Sequence, residues 1–193
     1  QNEINHTLNS DAIYNKISDY TFTKTVYGPM YEAEYFGSER RLPDLTQDII
    51  GQLNEGAAII NYIGHGDVEK WSAEYILEKN RDIGLIDIPD YKLPVWIAGT
   101  CYFGRYDGVE SMSESLLFDT NGAISIIGAT RAINESINKS FLECIVAPKF
   151  TSNSLEIFKR KKNLRIIEIK NNFILSDYSI KNALGGFLLQ ERD

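Results

Sequence analysis

The stretch PVWIAGTCYFGRYD, residues 94–107, decides the fold that we predict for this chain. Its first part, Pro94 to Thr100, is apolar and rich in β-branched and aromatic side chains, which predicts a buried strand. Cys101 follows at the carboxyl end of that strand. An upstream run, AAIINYIGHG (residues 57–66), predicts a second buried strand that ends on His65 between two glycines. The two strand ends therefore present a histidine and a cysteine.

The positions of these two residues at strand ends predict a catalytic dyad. In an open parallel sheet, functional groups gather beyond the carboxyl ends of the strands, so we expect His65 and Cys101 to lie side by side. A neighbouring imidazole allows a thiol to react as thiolate at neutral pH. The backbone amides of Gly66 and Cys101 are candidates for stabilising an oxyanion. Two alternatives stay open: His65 as a structural strand-end residue, and Cys101 as a small buried hydrophobic side chain.

Three ordered segments resemble a known family, namely NYIGHGDVEKWSAE (61–74), LPVWIAGTCYFGRYDG (93–108) and SMSESLLFDTNGAISIIGATRAINES (111–136). Over about residues 10–138 the chain closely resembles the gingipain-type C25 cysteine peptidases, a family that includes the sortase of the type IX secretion system. The resemblance implies an α/β fold of the caspase-like, three-layer α/β/α kind with a mainly parallel sheet.

The resemblance also implies roles for individual residues. The histidine of the GHG motif and the cysteine of the TC motif form the family's dyad, and they carry over to His65 and Cys101. A tryptophan follows the histidine in that family, so Trp71 is a candidate for lining the substrate cleft, with a packing anchor as an equally supported alternative. Arg131, at the end of a third predicted strand, is a candidate for binding a substrate carboxylate, with a surface ion pair as the alternative.

The implied activity is that of a cysteine endopeptidase or transpeptidase with a polypeptide substrate and neither metal nor cofactor. In the sortase-like members it removes C-terminal signals from exported proteins, which implies the bacterial cell envelope or surface and other secretion-system components as partners. The resemblance covers a catalytic subdomain without the family's amino-terminal subdomain. A catalytically incomplete fragment is therefore the alternative.

Composition limits the other classes of function. A chain of 193 residues that is 43% hydrophobic and 24% charged is ordinary for one globular core. The net charge of −7 and the pI near 5.0 argue against a nucleic-acid binder, which needs a basic face. We expect no transmembrane segment, because no apolar run approaches the roughly 20 residues of a membrane span. Two cysteines, Cys101 and Cys144, make no disulfide framework.

Periodicity and turn residues predict alternating helices and strands. We expect a polar irregular segment over 1–10, in which His6 is exposed to solvent, and a long loop over 28–43. Further predicted elements are helices over 11–20, 46–54 (capped by Thr46), 72–79 (begun near Glu74) and 111–118, and strands over 21–27 and 123–128.

The last part of the chain resembles a different family. Residues 141–169 and 185–193 are similar to an internal piece of the bifunctional AICAR transformylase/IMP cyclohydrolase, an enzyme of cytoplasmic purine biosynthesis. Strands over 142–147, 164–169 and 186–189 and a helix over 152–161 are predicted there. The KH-x-NPCG motif of that family's catalytic pair does not occur in the chain. We therefore predict two units, 1–138 and 139–193, with a chimera as one explanation and a loosely docked β-α-β tail as the expected structure.

Overall fold

A computed structural model describes residues 3–18, 21–118, 121–134, 136–141, 143, 165–170 and 187–191. The helices are α1 (Glu3–Ile17), α2 (Pro43–Asn54), α3 (Lys79–Asp82) and α4 (Met112–Phe118), and residues 136–141 are also helical. The strands are β1 (Phe22–Tyr27), β2 (Glu34–Phe36), β3 (Glu39–Arg41), β4 (Ile59–Ile63), β5 (Lys70–Trp71), β6 (Leu77–Glu78), β7 (Val95–Gly99), β8 (Ser125–Ala129), β9 (Arg165–Lys170) and β10 (Phe187–Glu191).

A six-stranded sheet in the described part of the chain has the order β1-β9-β4-β7-β8-β10. The first five strands are parallel to one another, and β10 pairs with β8 in the antiparallel direction. The two strands predicted to carry the dyad, β4 and β7, are direct neighbours in the sheet. The mainly parallel α/β sheet that the sequence predicted is confirmed.

Side chains of alternate strand residues face two different apolar layers. On one face, Ile60 and Tyr62 of β4 pack with α2 and α4 in the larger core cluster. On the other face, Ile63 of β4 and Ile97 of β7 pack with Ile13 and Ile17 of α1. The sheet therefore lies between helical layers, as in the three-layer arrangement that the family resemblance implied.

The capping box at the start of α4 follows directly from its sequence. Ser111 and Glu114 stand three residues apart, a spacing that favours a helix start. The Ser111 amide donates to Glu114 Oε2 at 2.8 Å, and the Glu114 amide donates to Ser111 Oγ at 3.2 Å. The helix predicted over 111–118 is thereby confirmed, together with its cap.

Several local predictions are wrong. Helix α1 begins at Glu3, so the predicted irregular segment over 1–10 is helical from there, and His6 is only 7% exposed. The predicted loop over 28–43 contains the β2–β3 hairpin. Helix α2 begins at Pro43, where the ring suits the first turn, and Thr46 instead donates its hydroxyl to Ile76 O at 2.9 Å.

The predicted helix over 72–79 is also wrong. This segment begins just after β5 and contains β6, which pairs with β5, and α3 begins only at Lys79. Glu74 is therefore not at a helix start. Its carboxylate is buried, accepts a hydrogen bond from Ser72 and forms an ion pair with Arg40 of β3 at 3.0 Å. A distant arginine, rather than a helix dipole, stabilises this charge.

Strands β9 and β10 lie within the predicted second unit. They confirm the strands predicted over 164–169 and 186–189, whereas the strand predicted over 142–147 and the helix over 152–161 lie outside the described residues. Strand β9 pairs with β1 along one edge and with β4 along the other. The expectation of a loosely docked tail is wrong for this strand, because it occupies the interior of the sheet. The boundary at 138/139 stays a prediction.

None of the helices in the described residues combines the length and the apolar character that crossing a membrane requires.

Candidate active site

The site lies where β4 and β7 end side by side. Ile63 of β4 is the register partner of Gly99 of β7, and the Gly64 amide donates to Gly99 O at 3.3 Å. Beyond this last paired position, His65 follows β4 by two residues and Cys101 follows β7 by two residues. Parallel strands lie about 4.8 Å apart, so the sheet brings these two residues to neighbouring positions at one edge. The side-by-side placement that the sequence predicted is present.

The glycines beside His65 are required because other groups approach them closely. A Cβ on Gly66 would lie 2.6 Å from Thr100 Oγ1 and 3.0 Å from Lys70 O, and one on Gly64 would collide with the Tyr62 hydroxyl. Neither glycine is among the residues with positive φ. Close contacts, rather than a positive φ, therefore require glycine at both positions.

We expect Gly66→Ala to shift the loop that follows His65 and to cost about 1–3 kcal/mol of unfolding free energy, because Lys70 O is backbone and cannot rotate away. Gly51→Ala is the matched control: nothing lies within 4 Å of its added Cβ, and it stands inside α2. There alanine should be neutral or stabilise by up to about 1 kcal/mol. Urea unfolding measures both, and equal midpoints would contradict the close approach at Gly66.

The segment that follows β8 makes hydrogen bonds to the side chain of Cys101. The Ile133 amide donates to Cys101 Sγ at 3.4 Å, and the thiol donates to Ile133 O at 3.7 Å. The next residue, Tyr102, has a φ of +58°, a left-handed conformation that is uncommon outside glycine. The nucleophile candidate therefore sits at a sharp backbone reversal, and such conformations occur often at functional sites.

Burial raises the pKa of the Cys101 thiol above its ordinary value of 9.0, and the hydrogen bond from Ile133 only partly opposes this. The sequence argument expected the imidazole to lower the pKa of this thiol, and the structure contradicts it. The main cause is the burial of the thiol itself. Burial, with a further contribution from the nearby imidazole of His6, lowers the pKa of His65 to about 4. The resting pair is a thiol and a neutral imidazole.

His65 is half-buried, and its Nε2 atom is buried without a hydrogen-bond partner among the described residues. Its backbone carbonyl accepts a hydrogen bond from the Tyr62 hydroxyl at 2.6 Å. Its ring meets the ring of His6 edge to face, with centroids 5.0 Å apart and an interplanar angle of 85°. Sequence reasoning missed His6, because a single polar residue in a polar segment gives no sign of burial.

The predicted oxyanion donors lie in the same strand-end region. Gly66 forms an antiparallel bridge with Trp71, which is closed by hydrogen bonds from the Ser72 amide to His65 O and from the Asp67 amide to Lys70 O. The bridge does not use the Gly66 amide. The role of this amide and of the Cys101 amide stays a prediction.

Trp71 is fully buried in an aromatic cluster. Its ring stacks on Tyr62 with centroids 4.2 Å apart and also contacts Trp96 and Phe103. This placement matches the alternative of a packing anchor, since a side chain with no exposed surface cannot touch a substrate without rearrangement. A role of Trp71 in lining the cleft stays a prediction.

Arg131 is exposed and pairs with Asp107 through its two terminal guanidinium nitrogens, one of them at 3.1 Å. Arg105 also donates to Asp107, at 3.0 Å, and the two arginines lower the pKa of that carboxylate. The arrangement matches the surface ion-pair alternative. Since the Tyr102 amide donates to Arg131 O at 3.2 Å, the pair nevertheless lies beside the nucleophile loop. A role in substrate binding stays a prediction.

A cavity of about 270 Å³ lies on the α2 face of the sheet rather than at the strand ends. It is bordered by the β2–β3 hairpin, α2 and α3, with Phe36, Arg41, Thr46, Ile50, Arg81 and Leu85 among its lining residues. Neither His65 nor Cys101 lines it. The two candidate catalytic residues therefore lie outside this cavity.

A mainly parallel sheet between helical layers, with a histidine and a cysteine beyond adjacent strand ends, defines a caspase-like α/β protein. A solved structure, described as the Arg-specific cysteine proteinase gingipain R, superposes with a TM-score of 0.51 and 15% identity over 88% of this chain and 42% of its own. This likeness shows the fold. The sequence model of peptidase family C25 matches residues 2–179, so the chain belongs to that family.

Curated relatives point to a second similarity. The bifunctional purine biosynthesis protein PurH of Staphylococcus saprophyticus is 30% identical over 127 residues, which cover 60% of this chain and 25% of the relative. PurH of Thermoanaerobacter sp. (strain X514) is 38% identical over 78 residues, which cover 36% of this chain and 15% of the relative. The chain therefore spans about a quarter or less of the length of these relatives, and the match is that of a segment.

Proposed function

We propose that the chain is a cysteine peptidase in which Cys101 is the nucleophile and His65 the general base. The observation that carries the proposal is the pairing of β4 with β7 in a register that places both residues just beyond one edge of the sheet. Membership of peptidase family C25 supports a polypeptide substrate.

The resting protonation states favour general-base catalysis over a preformed ion pair. A neutral His65 takes the proton of the Cys101 thiol as sulfur attacks the peptide carbonyl carbon, and the C–S bond forms. The amides of Gly66 and Cys101 would stabilise the negative charge on the carbonyl oxygen. The imidazolium then returns its proton to the leaving amine as the C–N bond breaks, which leaves a thioester. Water or an amine, deprotonated by His65, releases the acyl group and restores the thiol.

We expect the rate of alkylation of Cys101 by iodoacetamide to rise with pH through the neutral range and to continue rising above pH 9. The reactive species is the thiolate, and the raised pKa of Cys101 delays its formation. A Cys144→Ser chain isolates the single thiol, and mass spectrometry after timed quenching measures the rate. A plateau reached below pH 7 would show a preformed thiolate and contradict the neutral pair.

The test of the function uses a peptidyl acyloxymethyl ketone probe, which traps a peptidase nucleophile only when the site binds the peptide part. A peptidase site is supported if the peptidyl probe labels Cys101 faster than a large excess of iodoacetamide does. Labelling that is no faster with the peptidyl probe than with iodoacetamide, across a mixture of peptide sequences, would overturn the proposal and favour a catalytically incomplete fragment.

Within the family we propose the PorU-type sortase activity, in which the thioester of an exported protein is transferred to an amine acceptor in the bacterial cell envelope. Support comes from the sequence resemblance over about residues 10–138. Product analysis with and without an added amine separates the activities. A sortase gives the amide of the acceptor, whereas an endopeptidase gives the free acid.

The PurH similarity suggests a chimera as the alternative. The formyl-transfer chemistry would need the KH-x-NPCG motif, which this sequence does not contain. We therefore do not propose transformylase activity for the chain.

A further inference from the structure

His6 belongs to the environment of the candidate general base. On α1 it stands seven residues before Ile13 and eleven before Ile17, which is the spacing of one helix face. Ile13 and Ile17 pack against Ile63 and Ile97, the strand residues that precede the site. Because seven helical residues span about 10.5 Å, the same face carries His6 past the strand end to His65. The core contacts of α1 thus fix where His6 lies.

The contact between the two imidazoles has a defined geometry. Centroids 5.0 Å apart at 85° fall within the range of edge-to-face aromatic pairs. His6 is 7% exposed, and Nε2 of His65 has no hydrogen-bond partner among the described residues. In nucleophile–base pairs the base is usually oriented by a third group that hydrogen-bonds to it. Among the described groups around His65, the ring of His6 is in the position of this orienting group, and it makes a ring contact instead of a hydrogen bond.

Resting on the function proposed above, we propose that His6 is a positioning residue for His65, so that α1 forms part of the active site. The edge-to-face contact restricts the rotation of the His65 ring and holds it for proton transfer from Cys101. A misplacement of about 1 Å in a reacting group can lower a rate about a hundredfold, so loss of this contact should reduce turnover.

Within the described residues, three elements place titratable groups close to His65. They are His6 on α1, Tyr62 on β4, whose hydroxyl donates to the His65 carbonyl, and Cys101 beyond β7. His6 is the one whose charge lowers the pKa of His65, after burial. Two adjacent imidazoles cannot both be protonated cheaply, so His6 also helps to keep the base neutral.

The test compares His6→Ala, which removes the ring, with His6→Phe, which keeps a ring without a charge. Leu8→Ala on the exposed side of the same helix is the control. NMR titration of the His65 ring gives its pKa, and peptide cleavage gives kcat and KM. We expect the His65 pKa to rise in His6→Phe and further in His6→Ala. We expect kcat to fall about tenfold or more in His6→Ala, with KM unchanged, and to stay within a few-fold in His6→Phe.

A merely structural role would lower the melting temperature without moving the His65 pKa or separating the two variants in kcat. A fall in kcat in His6→Phe as large as the one expected for His6→Ala would overturn the inference, because a retained ring should keep His65 in position, and this variant decides the matter if His6→Ala does not fold. Because the titration needs no substrate, it remains informative if the wild-type chain cleaves no peptide. In that case the proposed function fails, while a raised pKa still establishes the contact between His6 and His65.

Discussion

Replacing Cys101 with alanine is expected to reduce peptide cleavage by about a thousandfold or more. The thiol is the atom that bonds to the substrate carbon in the proposed mechanism, and removal of a nucleophile from such a pair eliminates nearly all of its catalysis. The measurement is the initial rate of cleavage of a library of internally quenched peptides, at a pH where His65 is neutral.

The fold should tolerate this change. Cys101 Sγ contacts Ile133 through two sulfur hydrogen bonds, and losing them should cost about 1 kcal/mol of unfolding free energy. Cys144→Ser, which alters the second cysteine, is the control and should keep its cleavage rate. Cleavage retained by Cys101→Ala and lost in Cys144→Ser would assign the wrong nucleophile and refute the proposed mechanism.

Removal of residues 139–193 is expected to abolish cooperative unfolding of the remaining chain. Strand β9 would be lost from between β1 and β4, which would leave β1 without its sheet partner and β4 with an unpaired edge. A domain is stable by only about 5–15 kcal/mol, so the loss of an interior parallel strand exceeds what the rest can supply. Thermal unfolding followed by circular dichroism measures the result.

Removal of residues 187–193 alone is the matched control. It deletes β10, which pairs only with β8 at the end of the described sheet. This shorter chain should be less stable and yet show a cooperative transition. A chain ending at residue 138 that unfolds cooperatively near the wild-type temperature would instead support two independent units, with the boundary that the sequence predicted at 138/139.

The sequence was most informative where the relevant physical signal is local. Short apolar runs identified β4 and β7, and the residues that end these runs identified His65 and Cys101 as a candidate pair. The spacing of Ser111 and Glu114 predicted the capping box of α4, which the structure contains. Strand β9 was predicted from its own residues in the same way.

Local signals failed where partners come from distant parts of the chain. The helix expected near Glu74 is absent, and this carboxylate instead pairs with Arg40, 34 residues away. The requirement for glycine at position 66 comes from Thr100, which lies just beyond the neighbouring strand β7 and leaves no space for a Cβ atom.

By itself, the sequence determined the class of fold and the two residues that its strands present, because periodicity and strand ends are properties of short segments. Only the tertiary structure decided that β9 lies between β1 and β4 and that His6 is buried against His65. It also decided that burial reverses the expected charge state of the Cys101 and His65 pair. Which strand becomes a neighbour, and which side chain loses water, depends on contacts between residues far apart in the chain, and these leave no local pattern.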